Sequence, residues 1–128
     1  MLLSVILPAY NEEQNIAVSI DRLATTLRES AIPFELVVVN DNSKDRTPEV
    51  VDGLRTDYPE THLVHNQLKN GLGRAIRTGL AHANGDAIAI VMADLSDSPD
   101  DVVRCYRKLE EGYDCVFGSR FIKGSSVT

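Results

Sequence analysis

Hydrophobic residues occur along this chain in short runs, and each run ends in a stretch of polar turn residues. Residues 87–92 are six apolar residues in succession, a pattern typical of a strand that is buried on both faces. Similar runs occur before and after this one. The pattern therefore predicts five strands, over residues 2–7, 34–39, 61–65, 87–92 and 113–117.

Hydrophobic residues at helical spacing occupy the segments between these strands. Asn11 and Gln14 have the spacing of a capping box, which predicts Asn11 as the N-cap of a first helix that runs to about residue 30. Three further helices are predicted, from residue 45 or 47 to about 57, over 74–83, and over 99–111 with Ser98 as N-cap. This alternation predicts an α/β fold, with a mostly parallel sheet and helices on both faces.

The composition is that of one ordinary globular domain. The chain has 128 residues, of which 43% are hydrophobic and 25% charged. A net charge of −6 argues against a nucleic-acid partner, because phosphate binding needs a basic surface. The sequence has no apolar run long enough for a transmembrane segment and no signal-peptide pattern, so we expect a cytoplasmic location. Cys105 and Cys115 are expected to be reduced core residues.

Polar side chains stand directly after four of the five predicted strands. They are Tyr10, Asn11 and Glu12 after the first strand, Asn40 and Asp41 after the second, Asp94 and Asp97 after the fourth, and Arg120 after the fifth. Each can be explained singly as a turn residue or a surface charge. Because the carboxyl ends of parallel strands meet at one edge of a sheet, together they predict a binding site there.

Asp94 and Asp97 are the candidates for a metal site. Carboxylates delivered by a rigid strand can hold a hard divalent cation, especially when substrate phosphates complete the coordination. Asp97 is explained equally well as part of the cap of the following helix. Asp94 stands before the cap region, so capping explains it less well.

Two other classes of α/β protein fit the motifs poorly. A dinucleotide-dependent oxidoreductase needs a glycine fingerprint in its first strand–helix turn, and this turn reads PAYNEEQ, without glycine. A phosphoacceptor signalling domain needs an acceptor aspartate after its third strand. That position reads His65-Asn66-Gln67.

Five ordered motifs resemble those of the family 2 nucleotide-sugar glycosyltransferases. They are SVILPAYNEEQNI, VVVNDNSKDRT, NGLGRAIRTGL, VMADLSDSPDD and FGSRF. The resemblance covers nearly the whole chain and is greatest to the group of dolichol-phosphate mannose synthase and other polyprenyl-phosphate hexose transferases. It implies a GT-A fold with a Rossmann-like nucleotide-binding half. Residues 1–128 would then be a single family 2 domain, truncated at its C-terminus.

The resemblance also assigns roles to individual positions. Residues matching the parts of the family site that bind the nucleotide sugar are Pro8, Ala9, Tyr10, Glu12, Asn40, Asp41, Gly71, Gly73, Arg77, Ala93 and Asp94. Asn40 stands where the family usually has an aspartate, and Met92 replaces the first acid of its Asp-Ala-Asp motif.

The catalytic residues implied by the resemblance are Asp94 and Arg120. Asp94 would be a ligand of Mg²⁺ or Mn²⁺. Ser96 or Asp97 would supply the oxygen that Met92 lacks, and Arg120 would lie near the diphosphate.

The implied reaction is transfer of a hexose from GDP-mannose or UDP-glucose to an acceptor, with a polyprenyl or dolichyl phosphate as the expected acceptor. Such a phosphate is already an anion and needs no catalytic base, which fits the absence of an obvious base in the sequence. A peripheral position on the cytoplasmic face of a membrane would suit that acceptor. The alternative is a nucleotide-sugar-binding fragment without turnover, and the oligomeric state is open.

Overall fold

The computed structural model describes residues 1–67, 69–93 and 98–112, and the backbone of residues 121–123. In these ranges the chain order is β1 Leu3–Ala9, α1 Ile16–Glu29, β2 Phe34–Asn40, α2 Thr47–Leu54, β3 Thr61–His65, α3 Leu72–His82, β4 Ala87–Ile90, α4 Pro99–Glu110 and β5 Phe121–Lys123. The described strands form one sheet in the order β3-β2-β1-β4-β5. Strands β1 to β4 pair in parallel and β5 runs antiparallel to β4, which confirms the predicted fold class.

Helices cover this sheet on two faces, and the cover explains the uninterrupted apolar runs. Helices α1, α2 and α4 contribute to a core that includes Val5 and Leu7 of β1. Helix α3 packs on the opposite face, where Ala75 lies in a second core with Ile6 and Val37. Every residue of β1 and β2 is buried, as expected for parallel strands enclosed by helices.

The parallel register brings the carboxyl ends of β1, β2 and β3 level with one another. Ala9 pairs with Asn40, and Asn40 pairs with His65. The hydrogen bonds continue one residue further, from Asp41 N to Ala9 O at 2.9 Å and from Asn66 N to Asn40 O at 3.0 Å. The three chain segments therefore leave the sheet side by side at the same edge.

The start of α1 differs from the predicted capping box. The helix begins at Ile16 with Asn15 as its N-cap, and Asn11 lies outside it with a φ of 52°. The Oδ1 atom of Asn11 accepts a hydrogen bond of 2.8 Å from Lys44 N. The capping-box prediction was wrong because a distant loop supplies the partner for this amide.

The other boundaries shift by a few residues. Helix α3 begins at Leu72, two residues before the predicted start, and α2 ends at Leu54. The Oγ atom of Ser98 accepts a hydrogen bond from Asp100 N, which confirms Ser98 as the N-cap of α4. The strand predicted over residues 113–117 lies outside the described residues.

Cys105 is buried on α4 and is disulfide-bonded, so the prediction of a reduced thiol there was wrong. Sequence placed this cysteine on a helix, but a disulfide depends on the Cα atoms approaching to about 4.4–6.8 Å, which is a tertiary property. Cys115 lies outside the described residues. In the described ranges no helix is both long and apolar enough to cross a bilayer.

Candidate functional site

A cleft of about 340 Å³ opens at the carboxyl ends of β1 and β2, beside the chain that follows β4. The described residues that line it are Pro8, Ala9, Tyr10, Glu12, Asp41, Leu72, Met92 and Ala93. Strand order reverses here, because β2 lies on one side of β1 and β4 on the other. Such a switch point is where open α/β sheets bind their ligands. Six of the predicted site residues thus meet in one cleft.

The walls of this cleft combine apolar surface with a small number of carboxylates. Tyr10 and Leu72 are 44% and 51% exposed, respectively, so both side chains leave apolar surface accessible at the cleft. Glu12 and Asp41 supply the acidic groups. Apolar walls with few polar groups are typical of a small-molecule site.

The loop after β1 is held to the loop after β2 by side chain to backbone hydrogen bonds. Asn11 N donates to Ser43 Oγ at 3.0 Å, and Lys44 N donates to Asn11 Oδ1 at 2.8 Å. Glu12 N donates to Thr47 Oγ1 at 2.9 Å, at the first residue of α2. These bonds fix the backbone that carries Tyr10 and Glu12 into the cleft.

Asp45 anchors the same pair of loops from the other direction. Its carboxylate accepts hydrogen bonds from Thr47 N at 2.9 Å and from Glu13 N at 3.2 Å, as well as from the Thr47 hydroxyl. Desolvation is the largest single influence on the pKa of Asp45 and raises it. The hydrogen bonds from Thr47 and Glu13 outweigh desolvation, so the pKa lies below its ordinary value.

Asp41 is the buried acid of the cleft, with 8% of its surface exposed. Asn66 Nδ2 donates to its Oδ1 atom at 2.8 Å, and Gly71 N donates to its Oδ2 atom at 3.0 Å. Because a carboxylate has about four acceptor positions, these two bonds leave room for a ligand N–H group. The geometry makes Asp41 an oriented hydrogen-bond acceptor at the cleft.

Asn40 takes part in the local structure. Its amide pairs with His65 Nδ1 at 3.1 Å, and its Oδ1 atom accepts from Ser43 N at 3.0 Å. It is 7% exposed and is absent from the described lining of the cleft. The amide satisfies both partners because it carries a donor and an acceptor.

The glycine-rich segment contributes to the cleft through a residue that sequence reasoning missed. Leu72 lines the cleft, whereas Gly71 touches it through its N–H bond to Asp41. Gly73 and Arg77 lie exposed on α3, and the described lining includes neither. The signal available in the sequence was that Leu72 is an apolar residue between two glycines, Gly71 and Gly73.

The predicted metal ligands Asp94, Ser96 and Asp97, and the predicted catalytic Arg120, lie outside the described residues. Ala93, the residue before Asp94, lines the cleft, and its carbonyl oxygen accepts a hydrogen bond from the Ser19 hydroxyl on α1. Within the described ranges, no group of three or more His, Cys, Asp or Glu side chains could hold a metal ion. The oxygen donors that the sequence predicts are of the type that suits a hard divalent cation.

Comparison with known proteins shows what this chain is similar to. Residues 4–128 match the family described as Glycosyl transferase family 2. The chain is 34% identical over 127 residues to a dolichol-phosphate mannosyltransferase of Pyrococcus furiosus, which covers 99% of this chain and 35% of the relative. It is 35% identical over 115 residues to an undecaprenyl-phosphate 4-deoxy-4-formamido-L-arabinose transferase of Pectobacterium carotovorum, covering 88% of this chain and 35% of that protein.

Solved structures share the fold. The mannosyltransferase PcManGT from Pyrobaculum calidifontis, in complex with GDP-Man and Mn²⁺, superimposes with a TM-score of 0.71 at 31% identity, covering 84% of this chain and 32% of that chain. S. aureus TarS in complex with UDP-GlcNAc superimposes with a TM-score of 0.62 at 27% identity, covering 87% of this chain and 32% of that chain. The present chain thus spans about a third of the length of these proteins.

Proposed function

Because this chain belongs to glycosyl transferase family 2, we propose that its cleft binds a nucleoside-diphosphate hexose for transfer to a polyprenyl phosphate. The observation that carries the proposal is the Asp41 carboxylate, which is buried, held by two N–H donors and placed at the switch point of the sheet. Relatives named as acting on dolichol phosphate and undecaprenyl phosphate support the choice of acceptor.

The nucleoside would occupy the described part of the cleft. Guanine and uracil both carry N–H groups that can donate a hydrogen bond to an oriented carboxylate, so Asp41 is suited to either base. Apolar surface from Tyr10 and Leu72 is available to the rings. Structural relatives in complex with GDP-Man and with UDP-GlcNAc support both nucleotide classes, and we propose GDP-mannose and UDP-glucose as the donors to test first.

The reaction is a displacement at the anomeric carbon. The bond from that carbon to the diphosphate breaks, a bond to the acceptor phosphate oxygen forms, and the nucleoside diphosphate leaves with the electron pair. The acceptor phosphate is already ionised, so no residue needs to remove a proton from it. Binding donor and acceptor in one orientation contributes by making the encounter effectively unimolecular.

Two sequence-predicted groups would act on the leaving diphosphate. Asp94, with Ser96 or Asp97, would hold Mg²⁺ or Mn²⁺, and the bound cation supplies positive charge and Lewis acidity at the phosphate oxygens. Arg120 would add a fixed positive charge where negative charge develops. The relative that contains Mn²⁺ supports the choice of metal.

Calorimetry with GDP and UDP, each with Mn²⁺ and with EDTA, tests the binding half of this proposal. We expect one nucleotide to bind more tightly with Mn²⁺, and Asp94→Asn to abolish that gain. The matched control is Asp100→Asn, which alters an exposed carboxylate in the first turn of α4 and should leave binding unchanged. Equal affinity with and without the metal would contradict the assignment of Asp94.

Transfer is tested with labelled GDP-mannose and UDP-glucose and a polyprenyl phosphate in detergent micelles. A lipid-linked hexose product supports the full proposal. Binding of the donor without product supports the second candidate function, a nucleotide-sugar-binding module without turnover. That candidate is favoured by one observation, namely that Met92 lines the cleft at the position of the first acid of the family's Asp-Ala-Asp motif. Failure to bind any of the nucleotides overturns both.

A further inference from the structure

We propose that Asn66 is a positioning residue for the donor site, which sets the orientation of Asp41 and holds residues 69–71, which precede α3, against the cleft. The inference rests on the proposed function, since it concerns how the same cleft binds a nucleoside. Neither the motifs nor the comparisons assign a role to this residue.

The backbone of Asn66 is fixed by the sheet. It is the first residue after β3, and its N–H donates to Asn40 O at 3.0 Å, which extends the ladder between β2 and β3. The residue is 2% exposed. A buried amide with a fixed backbone has few alternative orientations, so its hydrogen bonds define where its partners lie.

The side-chain amide of Asn66 joins two elements of the site. Its Nδ2 atom donates to Asp41 Oδ1 at 2.8 Å and to Lys69 O at 3.1 Å. A side-chain amide nitrogen carries two N–H groups, which suffices for both bonds. One of these groups thus orients the carboxylate, and the other ties down the loop that leads to α3.

The same loop returns to the carboxylate and then enters the cleft. Gly71 N donates to the second oxygen of Asp41 at 3.0 Å, and Leu72, the next residue, lines the cleft. Asn66 therefore acts on two parts of the site at once, the Asp41 acceptor and the Leu72 apolar surface. When the side chains and loops of a site are already held in their binding geometry, less free energy is spent on ordering them when the ligand binds, and the affinity is higher.

Two substitutions of Asn66 separate positioning from general stability. Asn66→Ala removes both N–H donors, and we expect about tenfold weaker binding of the preferred nucleotide, which is about 1.4 kcal/mol. Asn66→Asp keeps the shape but faces Asp41 with a second carboxylate. At pH 7.5 the two negative charges repel, and at pH 5 a shared proton restores one hydrogen bond. The affinity of Asn66→Asp relative to the wild type should therefore rise at pH 5, while that of Asn66→Ala stays constant.

The wild type, Asn66→Ala and Asn66→Asp share the other titratable groups around residue 66. Glu12 lines the same cleft, His65 precedes Asn66 at the end of β3, and Lys69 accepts its hydrogen bond through the backbone. Comparing affinities as ratios to the wild type at each pH removes their shared contribution. A recovery confined to Asn66→Asp then reports on the contact with Asp41.

Asn84→Ala is the matched control. Asn84 Nδ2 also donates to a carboxylate, Glu35 Oε1 at 3.2 Å, but at the amino-terminal end of the strands. We expect this variant to bind nucleotide like the wild type even where its melting temperature falls as far as that of Asn66→Ala.

Wild-type affinity in Asn66→Ala would overturn the positioning role while leaving the proposed function intact. Equal losses in Asn66→Ala and Asn84→Ala would also overturn it, because the effect would then follow stability. If the wild type binds no nucleotide, the proposed function fails, and the role of Asn66 falls with it.

Discussion

The backbone N–H of Gly71 lies 3.0 Å from Oδ2 of Asp41, which joins the amino terminus of α3 to the end of β2. Gly71 is the N-cap of α3, so the carboxylate stands at the positive end of the helix dipole. Asp41 therefore has two functions in this fold. It satisfies a helix N-terminus and, in the proposed function, it accepts a hydrogen bond from the nucleobase.

Replacing Asp41 with alanine is expected to damage both functions. The Asn66 amide and the Gly71 N–H each lose a buried acceptor, which should cost about 1–3 kcal/mol in the free energy of unfolding. Nucleotide affinity should fall by at least about tenfold. Urea denaturation and calorimetry measure the two effects. Asp52→Ala, at an exposed position on α2, should change stability by less than about 0.5 kcal/mol and leave binding intact.

Truncating Leu72 to alanine should separate binding from stability. The side chain is 51% exposed, so its loss changes the free energy of unfolding by less than about 0.5 kcal/mol. If the nucleoside covers it, affinity should fall about fivefold, or about 1 kcal/mol of lost apolar contact. Val18→Ala on α1 is the control, because Val18 is 58% exposed and is absent from the described cleft lining. Equal nucleotide affinities for the two variants would contradict the role of Leu72.

Gly79 allows α3 to approach the sheet closely. A Cβ atom at this position would lie 2.6 Å from Ile6 Cγ2 and 3.1 Å from Val39 Cγ2. In Gly79→Ala, overpacking should destabilise the protein by about 1–3 kcal/mol. The higher helix propensity of alanine should offset about 1 kcal/mol of this loss. In the control Gly53→Ala on α2, no other described heavy atom lies within 4 Å of the added Cβ, so stability should rise by up to about 1 kcal/mol. Urea denaturation of both variants measures whether each substitution lowers or raises the free energy of unfolding.

Glu35 should make the stability of the protein depend on pH. It is 6% exposed, and its carboxylate accepts hydrogen bonds of 2.6 Å from Ser4 Oγ and from Asn84 N. Burial is the largest influence on the pKa of Glu35 and raises it. The bonds from Asn84 and Ser4, with the nearby His62, outweigh burial and lower the pKa below its ordinary value.

A lowered pKa means that folding favours the ionised carboxylate. Its stabilisation is complete above about pH 4.3, the ordinary pKa of glutamate, and is lost as pH falls through the lower pKa of the folded protein. Glu35→Gln should therefore be less stable than the wild type by about 1–2 kcal/mol at pH 7. We expect this difference in unfolding free energy to shrink as the pH falls below about 4.3. A difference that stays constant over this range would show that the ionised form is not the favoured one.

The fold class and the position of the cleft were predictable from the sequence alone. Apolar runs that are enclosed on two faces must be continuous, so β1 and β2 are visible in the sequence without any knowledge of their partners. Once the strands are parallel, their carboxyl ends share one edge. The polar residues that follow them, among them Tyr10 and Asp41, therefore had to converge.

Tertiary structure decided which polar groups face the cleft and which hold it together. In the sequence, Asn11 and Asn40 resemble capping or ligand-binding residues. In the structure, the amide of Asn11 bonds to Lys44, 33 residues away, and the amide of Asn40 bonds to His65, 25 residues away. Asn66 orients Asp41 across a separation of 25 residues. These roles depend on which segments the sheet order brings together. Local spacing records the periodicity of one segment and carries no information about its distant partners.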